Sequence, residues 1–456
     1  MSIRAVILAA GQGKRMHSKL PKVLHPIAGK PMLERVITTA KALSSKELPP
    51  VIIYGHQGHV IKEAMSHHNA LWAEQIEQLG TGHAVLQALT KVNADENILI
   101  LYGDVPLISE GTLQQLIDAT PEHAIGMLTA TLDYPTGYGR IKRDAANHII
   151  GIVEEKDANA DEKAITEVNS GVYLIPAALL KKWLPTLKNN NAQGEYYLTD
   201  VIKLAQAENI SIHSVSPAKV EEIMGVNDRV QLMQLERFYQ KTQAEVLMRQ
   251  GVTIMDPLRL DMRGTIEVGK DVILDVNVIM EGKVVLGDDC VIGPNVLLRN
   301  VVLAEGVIVK ANSVIDGAEI GAHAEIGPFA RIRPGTILKD HTHIGNFVEI
   351  KNSRIDQGSK VNHLSYIGDS DIGKKVNIGA GTITCNYDGA NKHKTTIADH
   401  VFIGSDSLLI APVRVGEGAT IAAGSIITKD APAHQLTLTH RLDQRSVNGW
   451  ERPTKS

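Results

Sequence analysis

A six-residue repeat in the second half of the chain restricts its fold more than any other feature of the sequence. An aliphatic residue, always Ile, Leu, Val or Met, stands at 25 positions: 274, 280, 286, 292, 298, 303, 309, 315, 320, 326, 332, 338, 344, 350, 355, 361, 367, 372, 378, 397, 403, 409, 415, 421 and 427. A hexapeptide period is typical of a parallel β-helix, in which short strands form coils and the aliphatic side chains stack inside. A β-sandwich does not fit, because its strands alternate with a period of two. We call these 25 residues the core positions and predict on the order of nine or ten coils.

The composition fits a narrow interior and excludes several classes of protein. Of 456 residues only 4% are aromatic and 39 are glycines, which suits an aliphatic core with tight corners. The two cysteines, Cys290 and Cys385, lack the spacing of metal ligands, which excludes a disulfide framework and a zinc ribbon. A formal charge of −4 provides no basic field for nucleic acid or an anionic membrane. The first apolar run is too short for a secretory signal or a membrane span, so we expect a cytoplasmic protein.

The first 226 residues follow a different pattern. Short apolar runs at 5–10, 51–54, 98–101, 125–132 and 172–175 alternate with helical stretches such as 31–43 and 110–119. This alternation predicts an α/β domain with a mostly parallel sheet. Residues 227–251 predict a connecting helix, capped by Asn227 or Asp228 and stopped by Gly251. Its predicted apolar stripe contains Val230, Met233, Leu235, Phe238, Val246 and Leu247, and one more packed helix of the first domain is the alternative.

Two segments depart from the repeat of residues 252–456. CNYDGANKHK, residues 385–394, interrupts the register and is predicted to leave the column as a loop, either functional or inert. Residues from about 430 to 456 lose the period and carry several basic residues. They predict an extended tail that is either disordered or docked on a neighbour.

A glycine-rich loop follows the first strand. In Leu8-Ala9-Ala10-Gly11-Gln12-Gly13-Lys14-Arg15, two glycines let backbone N–H groups approach a phosphate, and two basic residues add charge. A dinucleotide fingerprint would need glycine at Met16, and a Walker A motif is absent from the sequence. Asp104 ends an apolar strand, where α/β sheets place ligand-binding groups, although by itself it also fits a helix cap, as Lys22 by itself fits a solvated surface.

Taken together, these motifs resemble the sugar-1-phosphate nucleotidyltransferases, which share LAAGxGxRM, PKxL and YGDxPL. Joined to hexapeptide repeats, the chain resembles the bacterial family that fuses N-acetylglucosamine-1-phosphate uridyltransferase to glucosamine-1-phosphate acetyltransferase. PTGYGRI, NNNAQGEYYLTD, GPFARIRPG, GNFVEIK, NIGAGTITCNYDG and FIGSDSLLIAPV are specific to it. The resemblance implies a Rossmann-like mixed sheet, a long connecting helix and a left-handed parallel β-helix. It also implies two reactions, acetylation of glucosamine-1-phosphate by acetyl-CoA and uridylyl transfer from UTP to N-acetylglucosamine-1-phosphate.

The resemblance also implies a nucleotide-sugar site in the first domain. Leu8 to Gly11 would cradle UTP, with Arg15 and Lys22 on its phosphates, and Asp104 and Asn227 would bind Mg²⁺. Gln75, Gly80 and Thr81 would select uracil. The remaining residues that the resemblance assigns to the UTP and sugar ligands are Tyr102, Gly103, Gly139, Glu154 and Asn169. The family usually has threonine where this chain has Ser170, a mild change.

In the β-helix, the resemblance makes His363 the general base of acetyl transfer, although a lone histidine there also fits an ordinary surface residue. Arg333, Lys351, Tyr366 and Asn377 would bind the sugar phosphate. Acetyl-CoA would contact Ala380, Asn386, Tyr387, Ser405, Ala423 and the tail residue Arg441, with His440 as the alternative. Such β-helix enzymes are homotrimers, so we expect three copies. Two other hypotheses are a nucleotidyltransferase with a regulatory β-helix and a non-enzymatic scaffold; His363 with its cations argues against the first, and the phosphate loop with Asp104 against the second.

Overall fold

The computed structural model describes residues 2–45 and 48–439. Within them the chain divides into two compact units, one ending at Tyr239 and the next beginning at Gln240. Each unit has its own buried hydrophobic core. The boundary falls inside a helix, so that helix contributes residues to both units.

A mixed β-sheet forms the centre of the first unit. The strands of this unit are β1 (Ile3–Ala9), β2 (Pro26–Ile27), β3 (Lys30–Pro31), β4 (Val51–Tyr54), β5 (Leu71–Glu74), β6 (Asn97–Tyr102), β7 (Ile125–Thr131), β8 (Arg140–Arg143), β9 (Ile149–Val153), β10 (Glu167–Pro176) and β11 (Ile212–Val215). The main path of the sheet runs β11-β7-β10-β6-β1-β4-β5, and β8 and β9 form a hairpin beside β10. β10 is antiparallel to both of its neighbours on this path, and the other pairings along it are parallel. The predicted α/β fold is therefore confirmed.

Helices cover both faces of this sheet. The helices of the described part of the chain are α1 (Met32–Leu43), α2 (Gly58–Ala64), α3 (Thr81–Ala88), α4 (Glu110–Ala119), α5 (Ala160–Lys163), α6 (Ala177–Trp183), α7 (Val201–Ala207) and α8 (Arg229–Arg249), of which α1, α2 and α4 pack in one core of the first unit and α3, α6 and α7 in the other. Single 3₁₀ turns lie at Lys14–Met16, Lys22–Leu24, Leu89–Lys91, Leu184–Thr186, Leu198–Asp200, Val220–Ile223 and Pro257–Arg259. β1 and β6 are parallel neighbours, with Leu8 beside Tyr102. The loops after these two strands therefore emerge together at the carboxyl edge of the sheet, where ligands bind in such folds.

The helix α8 confirms the predicted connecting helix but not its apolar stripe. The Asp228 carboxylate caps the first turn by accepting from the Gln231 N–H at 2.9 Å, and Gly251 follows the end with φ +101°. The predicted stripe is wrong at Val230, Met233 and Val246, which are 60%, 53% and 42% exposed. Leu235 packs in the first unit, whereas Leu247 packs in the β-helix core. Because each half of the helix serves a different core, no continuous stripe forms.

The second unit is a three-sided parallel β-helix. Its first face contains β12 (Thr253–Ile254), β14 (Ile273–Leu274), β16 (Val291–Ile292), β18 (Ile308–Val309), β21 (Glu325–Ile326), β24 (His343–Asn346), β27 (Lys360–His363), β30 (Asn377–Ile378), β33 (Phe402–Ile403), β36 (Thr420–Ile421) and β38 (Leu436–Thr437). Its second face contains β19 (Val314–Asp316), β22 (Arg331–Ile332), β25 (Glu349–Lys351), β28 (Tyr366–Gly368), β31 (Ile383–Cys385), β34 (Leu408–Ile410) and β37 (Ile426–Ile427). Its third face contains β20 (Ala318–Ile320), β23 (Thr336–Leu338), β26 (Arg354–Ile355), β29 (Ser370–Ile372), β32 (Thr395–Ile397) and β35 (Val413–Val415). In the first coils the longer strands β13 (Leu260–Val268), β15 (Val278–Leu286) and β17 (Leu297–Leu303) run along the second and third faces.

Strand pairing and burial confirm the hexapeptide interpretation. Most coils advance by 17 or 18 residues, as in the pairs Val361–Ile378 and Ile326–Ile344, and the coil that carries the 386–394 loop advances further, from Ile378 to Ile403. All 25 core positions are buried, none more than 3% exposed. Thr384 occupies the position that the aliphatic series leaves open after Ile378, and it is also fully buried. The aliphatic repeat therefore lines the inside of the coils, as predicted.

The predicted loop leaves the column between β31 and β32, so residues 386–394 lie outside the strands. Asp388 organises it: its Oδ1 accepts from the N–H groups of Ala390 and Asn391, and its Oδ2 pairs with His393 Nε2 at 2.7 Å. The last strand, β38, still pairs with β36. The tail predictions for His440 and Arg441 lie outside the described residues.

Candidate active sites

A cavity of about 250 Å³ lies at the carboxyl edge of the first unit's sheet. The loop after β1 forms one wall, and the end of β6 forms another. The lining residues are Leu8, Ala9, Ala10, Gly11, Lys22, Val23, Gln75, Gln78, Gly80, Thr81, Ala84, Tyr102, Asp104 and Glu195. Ten of them are residues predicted for UTP from the sequence, so the fold brings these distant segments together.

Two oxygen atoms and one ammonium group converge at the edge of this cavity. Lys22 Nζ donates to the Asp104 carboxylate and, at 3.3 Å, to Oδ1 of Asn227. The turn before α8 positions Asn227, whose N–H donates to Gln231 Oε1 at 2.7 Å. Two oxygens of this chain thus face one positive charge, and one carboxylate plus one amide oxygen suit Mg²⁺ when substrate phosphates and water complete the shell. The residues present therefore fit a divalent cation.

A second cavity, of about 290 Å³, continues the cationic character of this region. Its lining is Gln12, Gly13, Lys14, Arg15, Lys22 and Asn227. It shares Lys22 with the first cavity, and Arg15 lies on it as predicted. The glycine-rich loop thus presents basic side chains beside the predicted metal ligands, an arrangement suited to a polyphosphate.

The segment predicted to read the base is tightly packed. Gln75 is 3% exposed, and its amide nitrogen donates to the Gly80 carbonyl at 3.1 Å. Gly80 has φ +110°, and a Cβ there would lie 2.7 Å from the backbone oxygen of Tyr196. Thr81 Oγ1 accepts from the Leu198 N–H at 3.1 Å. Only glycine fits position 80, because both the backbone conformation and the backbone of Tyr196 exclude a side chain.

The residues predicted to bind the sugar, Gly139, Glu154 and Asn169, lie close to one another. The Asn169 N–H donates to the Gly139 carbonyl at 2.8 Å, and Glu154 Oε1 accepts from Thr199 Oγ1 at 2.9 Å. Burial raises the pKa of Glu154 above its ordinary value. Burial, with the nearby charges of Glu154 and Asp104, also raises the pKa of Tyr102. Glu154 is also part of the lining of a polar cavity of about 650 Å³.

Gly103 directly follows β6, next to the end of β1. Its N–H donates to the Leu8 carbonyl at 2.9 Å, which links the loops after β1 and β6. A Cβ at Gly103 would lie 3.1 Å from Leu33 Cδ1 and 3.3 Å from the Leu8 carbonyl oxygen, so a larger residue requires a small shift of these neighbours. Sequence reasoning missed Gln78 and Glu195 in the cavity wall and Thr199 beside Glu154. The motif NNNAQGEYYLTD contains Glu195 and Thr199, and it supported the family resemblance without assigning a role to either residue.

In the second unit, His363 is exposed at the end of β27. Its Nδ1 lies 2.7 Å from Oδ1 of Asn346, its partner on the coil before. An amide oxygen only accepts, so Nδ1 donates and Nε2 keeps its lone pair. The imidazole is therefore oriented as a base toward solvent.

Three small residues continue the column above His363. The carbonyl of His363 accepts from the Gly381 N–H at 3.3 Å, that of Ala380 from the Asp406 N–H at 2.7 Å, and that of Ser405 from the Gly424 N–H at 2.8 Å. Each bond joins the last residue before a corner to the same corner of the next coil. His363, Ala380, Ser405 and Ala423 therefore stack along one edge, as expected for a slot that accepts an extended ligand.

Cationic side chains gather on the adjoining second face. Lys351 ends β25, Arg333 follows β22 one coil before it, and Tyr366 begins β28 one coil after it. Arg333 pairs with Glu349 at 2.8 Å. Lys392, from the 386–394 loop, is a residue that sequence reasoning missed: contact with the Lys351 ammonium lowers the pKa of Lys392, and Arg333 adds to this effect. Three cations on one patch suit a phosphate.

The remaining predicted residues surround this patch from two sides. A Cβ at Gly368 would lie 2.5 Å from the Tyr366 hydroxyl and 2.7 Å from Nδ2 of Asn386, so both side chains cover that glycine. Asn377 pairs with Lys360 and lies on the first face with His363 rather than on the cationic face. Tyr387 is 60% exposed on the loop, and its hydroxyl donates to the Gly389 carbonyl at 2.6 Å.

These two sites define a class: a nucleotidyltransferase domain joined to a hexapeptide-repeat transferase. Family models agree, since residues 5–202 match the MobA-like NTP transferase domain, 262–343 the GMPPB C-terminal domain, and 394–429 the bacterial transferase hexapeptide (six repeats). Solved nucleotidyltransferase structures align with about half of the chain at TM-scores of 0.44 and 0.39 with 17% and 18% identity, among them a UDP-glucose pyrophosphorylase complexed with UDP-glucose and one from Methanothermobacter. Such alignments add nothing to the assignment.

Full-length relatives identify the family. Three proteins named "Bifunctional protein GlmU" are similar to this chain over nearly its whole length. The protein from Methylococcus capsulatus is 56% identical over 457 residues, covering 100% of this chain and 98% of its own. Those from Azoarcus sp. strain BH72 and Aromatoleum aromaticum are 53% and 52% identical over 453 residues, covering 99% of this chain and 100% and 99% of their own.

The chain therefore belongs to the GlmU family of bifunctional enzymes. It is an enzyme with acetyltransferase and uridylyltransferase activities in the synthesis of UDP-N-acetylglucosamine, as the sequence resemblance predicted. The nucleotidyltransferase part belongs to a metal-dependent class of enzymes. Among the helices of the described part of the chain, none combines the length and the apolar character needed to cross a membrane.

Proposed function

We propose that His363 is the general base for acetylation of glucosamine-1-phosphate in residues 252–456. The observation that carries this assignment is the Asn346–His363 contact, which leaves Nε2 free to accept a proton. As the sugar amine attacks the thioester carbon of acetyl-CoA, a C–N bond forms and the C–S bond breaks. The amine proton passes to Nε2, and the sulfur of coenzyme A leaves as a thiol after protonation.

The cationic patch would bind the 1-phosphate of the amino sugar. Arg333, Lys351 and Lys392 supply the charge, and Tyr366 and Asn377 supply hydrogen bonds. Because Asn386 lies beside Tyr366, we propose that it contacts the sugar phosphate as well as acetyl-CoA, to which the resemblance assigns it. The stacked edge of Ala380, Ser405 and Ala423 offers small side chains and backbone groups to acetyl-CoA. Tyr387 on the loop, and Arg441 or His440 of the tail, would contact the same ligand.

In residues 1–226 we propose uridylyl transfer from UTP to N-acetylglucosamine-1-phosphate. A phosphate oxygen of the sugar attacks the α-phosphorus of UTP, a P–O bond forms, and pyrophosphate leaves. Lys22 and Arg15 hold the phosphates in position, while Asp104 and Asn227 would hold Mg²⁺, which neutralises phosphate charge when bound. Gln75, Gly80 and Thr81 would bind uracil, and Gly139, Glu154 and Asn169 the acetylated sugar.

We further propose a cytoplasmic homotrimer in which neighbouring β-helix columns enclose the acetyl-transfer site. An exposed apolar ladder supports this assembly. Phe329, Phe347 and Leu364 occupy successive coils at the corner that follows His363, and they are 49%, 55% and 63% exposed. The two phenylalanine rings stack at a centroid distance of 5.2 Å. Bulky apolar residues at a solvent-facing corner are explained when another column covers them.

Two single substitutions test whether acetyl transfer and uridylyl transfer take place at separate sites. Given glucosamine-1-phosphate, acetyl-CoA, UTP and Mg²⁺, the protein should form UDP-N-acetylglucosamine. His363→Ala should reduce acetyl transfer by roughly 10²–10⁴-fold and leave uridylyl transfer intact. Asp104→Ala should abolish only uridylyl transfer. Normal acetylation by His363→Ala would refute the base assignment, and unchanged metal dependence in Asp104→Ala would refute the metal assignment.

A further inference from the structure

Asp369 lies at the centre of the cationic patch, although nothing in the sequence pattern assigns it a role there. It is the residue after β28, at the corner between the second and third faces, with φ +47°. Its side chain is only 13% exposed. A carboxylate in a site built for a phosphate repels the substrate, so its presence calls for another explanation.

The contacts of Asp369 reach three residues on two segments, the adjacent pair Lys351 and Asn352 and the loop residue Asn386. One oxygen, Oδ2, lies 3.3 Å from Lys351 Nζ and accepts from Nδ2 of Asn386. The other, Oδ1, accepts from Nδ2 of Asn352 at 2.7 Å. Asp369 therefore joins the preceding coil to the base of the 386–394 loop. Burial alone would raise the pKa of Asp369, but these three hydrogen bonds outweigh it and hold the pKa below its usual range.

A carboxylate determines which end of a neighbouring amide points toward it. Because a carboxylate only accepts, Asn386 must direct its NH₂ group at Asp369 and its oxygen away. The Asn386 oxygen is then available to accept from a hydroxyl or amine of the substrate. In the same way, one hydrogen of the Lys351 ammonium is engaged by Asp369, so the remaining hydrogens have defined directions.

We propose that Asp369 is a positioning residue for acetyl transfer, fixing Lys351 and the amide of Asn386 for the amino sugar phosphate. This inference rests on the proposed acetyl-transfer site. Asp369 acts through its two neighbours and does not itself touch the substrate. It also keeps the loop that carries Tyr387 and Lys392 attached to the column.

The experiment compares Asp369→Asn with the wild-type chain. Asparagine tolerates the left-handed backbone of this corner, so the substitution removes the charge and the forced amide orientation without adding backbone strain. Positioning predicts that the KM for glucosamine-1-phosphate rises roughly ten- to a hundredfold, more than the KM for acetyl-CoA does, while uridylyl transfer stays unchanged. Simple electrostatics predicts the opposite sign, because removing a negative charge would tighten binding of a phosphate. A lower or unchanged KM for the sugar overturns the proposal.

Coupling to Asn386 separates positioning from a general loss of structure. If Asp369 acts partly through Asn386, then Asp369→Asn costs less in the Asn386→Ala background than in the wild type. Full additivity in both the Asn386→Ala and the Lys351→Ala backgrounds contradicts the proposal.

Asp371→Asn is the matched control. Asp371 lies two residues after Asp369 and pairs with Lys394 of the same loop, yet it is half-exposed on the third face. It should leave both KM values unchanged, and a rise as large as that of Asp369→Asn would show that any loosening of the loop suffices.

If the proposed acetyl-transfer site itself is wrong, a different set of variants shows it. If Arg333→Ala and Lys351→Ala leave the KM for glucosamine-1-phosphate unchanged, the cationic patch does not bind the sugar phosphate, and the proposed function fails with the inference. If those two variants raise KM but Asp369→Asn does not, only the role of Asp369 is wrong.

Discussion

At the scale of single residues, a hydrogen-bonded neighbour determines which atoms of His363 and Glu154 remain available to a ligand. Asn346 determines which nitrogen of His363 is free, and Thr199 engages one oxygen of Glu154. Burial also acts on Glu154, because removing water disfavours a charge. Glu154 shows this effect and leads to a pH-dependent prediction.

As the pH is lowered, the affinity for N-acetylglucosamine-1-phosphate should begin to fall at a higher pH than it would if Glu154 had an ordinary pKa. In the proposed sugar site, the charged form of Glu154 would accept hydrogen bonds from sugar hydroxyls, and burial raises the pKa of this carboxyl group. As the pH falls through that raised pKa, the carboxylate is protonated and the KM of uridylyl transfer rises by roughly ten- to a hundredfold. Steady-state kinetics from neutral to acidic pH measures this change.

The substrate phosphate also titrates, so Glu154→Gln provides the reference. The ratio of KM values between this variant and the wild type should be large at neutral pH and approach one as the pH falls. A ratio that does not vary with pH would contradict a role for the charged carboxylate.

At the scale of elements, the β-helix combines an aliphatic interior with a few buried polar positions. Thr384 occupies a core position between Ile378 and Ile397, where its hydroxyl accepts from the Gly368 N–H at 2.8 Å. Gly368 is the glycine covered by Tyr366 and Asn386. The polar core position therefore supports the strand that carries the predicted sugar-phosphate site.

Replacing Thr384 with valine should destabilise the β-helix although the shape of the side chain is kept. The Gly368 N–H would lose its acceptor in a buried place, which costs about 1–3 kcal/mol. Calorimetry should show a lower melting temperature for the transition of this unit. Ile378→Val, which deletes one buried methylene and no hydrogen bond, should cost about 0.5–1.5 kcal/mol and provides the comparison. Equal or higher stability of Thr384→Val would show that the hydroxyl contributes nothing.

At the scale of the whole molecule, the proposed trimer depends on surfaces that one chain leaves exposed. The corner after His363 carries asparagine in early coils, as at Asn295 and Asn312, and then Phe329, Phe347 and Leu364, all with positive φ. Asparagine suits a left-handed backbone, whereas phenylalanine does not. The unfavourable residues lie in the coils around the predicted acetyl-transfer site, where a neighbouring column would cover them.

Phe347→Asn should weaken assembly without harming the column. Asparagine relieves the backbone strain, so thermal stability of the β-helix is kept, while loss of the apolar ring weakens contact with the next chain. Sedimentation should show three chains for the wild type and smaller species for the variant at equal concentration. Acetyl transfer should fall with assembly, whereas uridylyl transfer should not.

His341→Asn serves as the control, because His341 also has a positive φ but lies at another corner of the column. It should leave both sedimentation and acetyl transfer unchanged. A wild-type chain that sediments as a monomer while acetylating at full rate would refute the trimer proposal.

The β-helix could be predicted from local sequence alone, because burial at each core position is indicated by the six-residue period and does not depend on any distant residue. Ile326 and Ile344 need only the local six-residue period to be placed inside the coils. The α/β unit and the loop after β1 were predicted equally well, since alternating runs and a glycine-rich turn are local signals. The apolar stripe of α8 was mispredicted because Leu235 and Leu247 pack in different cores, and a helical period does not show which core each residue meets.

Which polar groups contact one another became visible in the folded chain alone. Lys22, Asp104 and Asn227 are far apart in the chain, and their contact depends on parallel strands ending at one edge of the sheet. Lys392 and Asp369 reach the cationic patch because the loop folds back on a coil formed 17 or more residues earlier. Hydrogen bonds and ion pairs act over a few ångströms in space whatever the separation along the chain, so a local pattern records burial but not such partners.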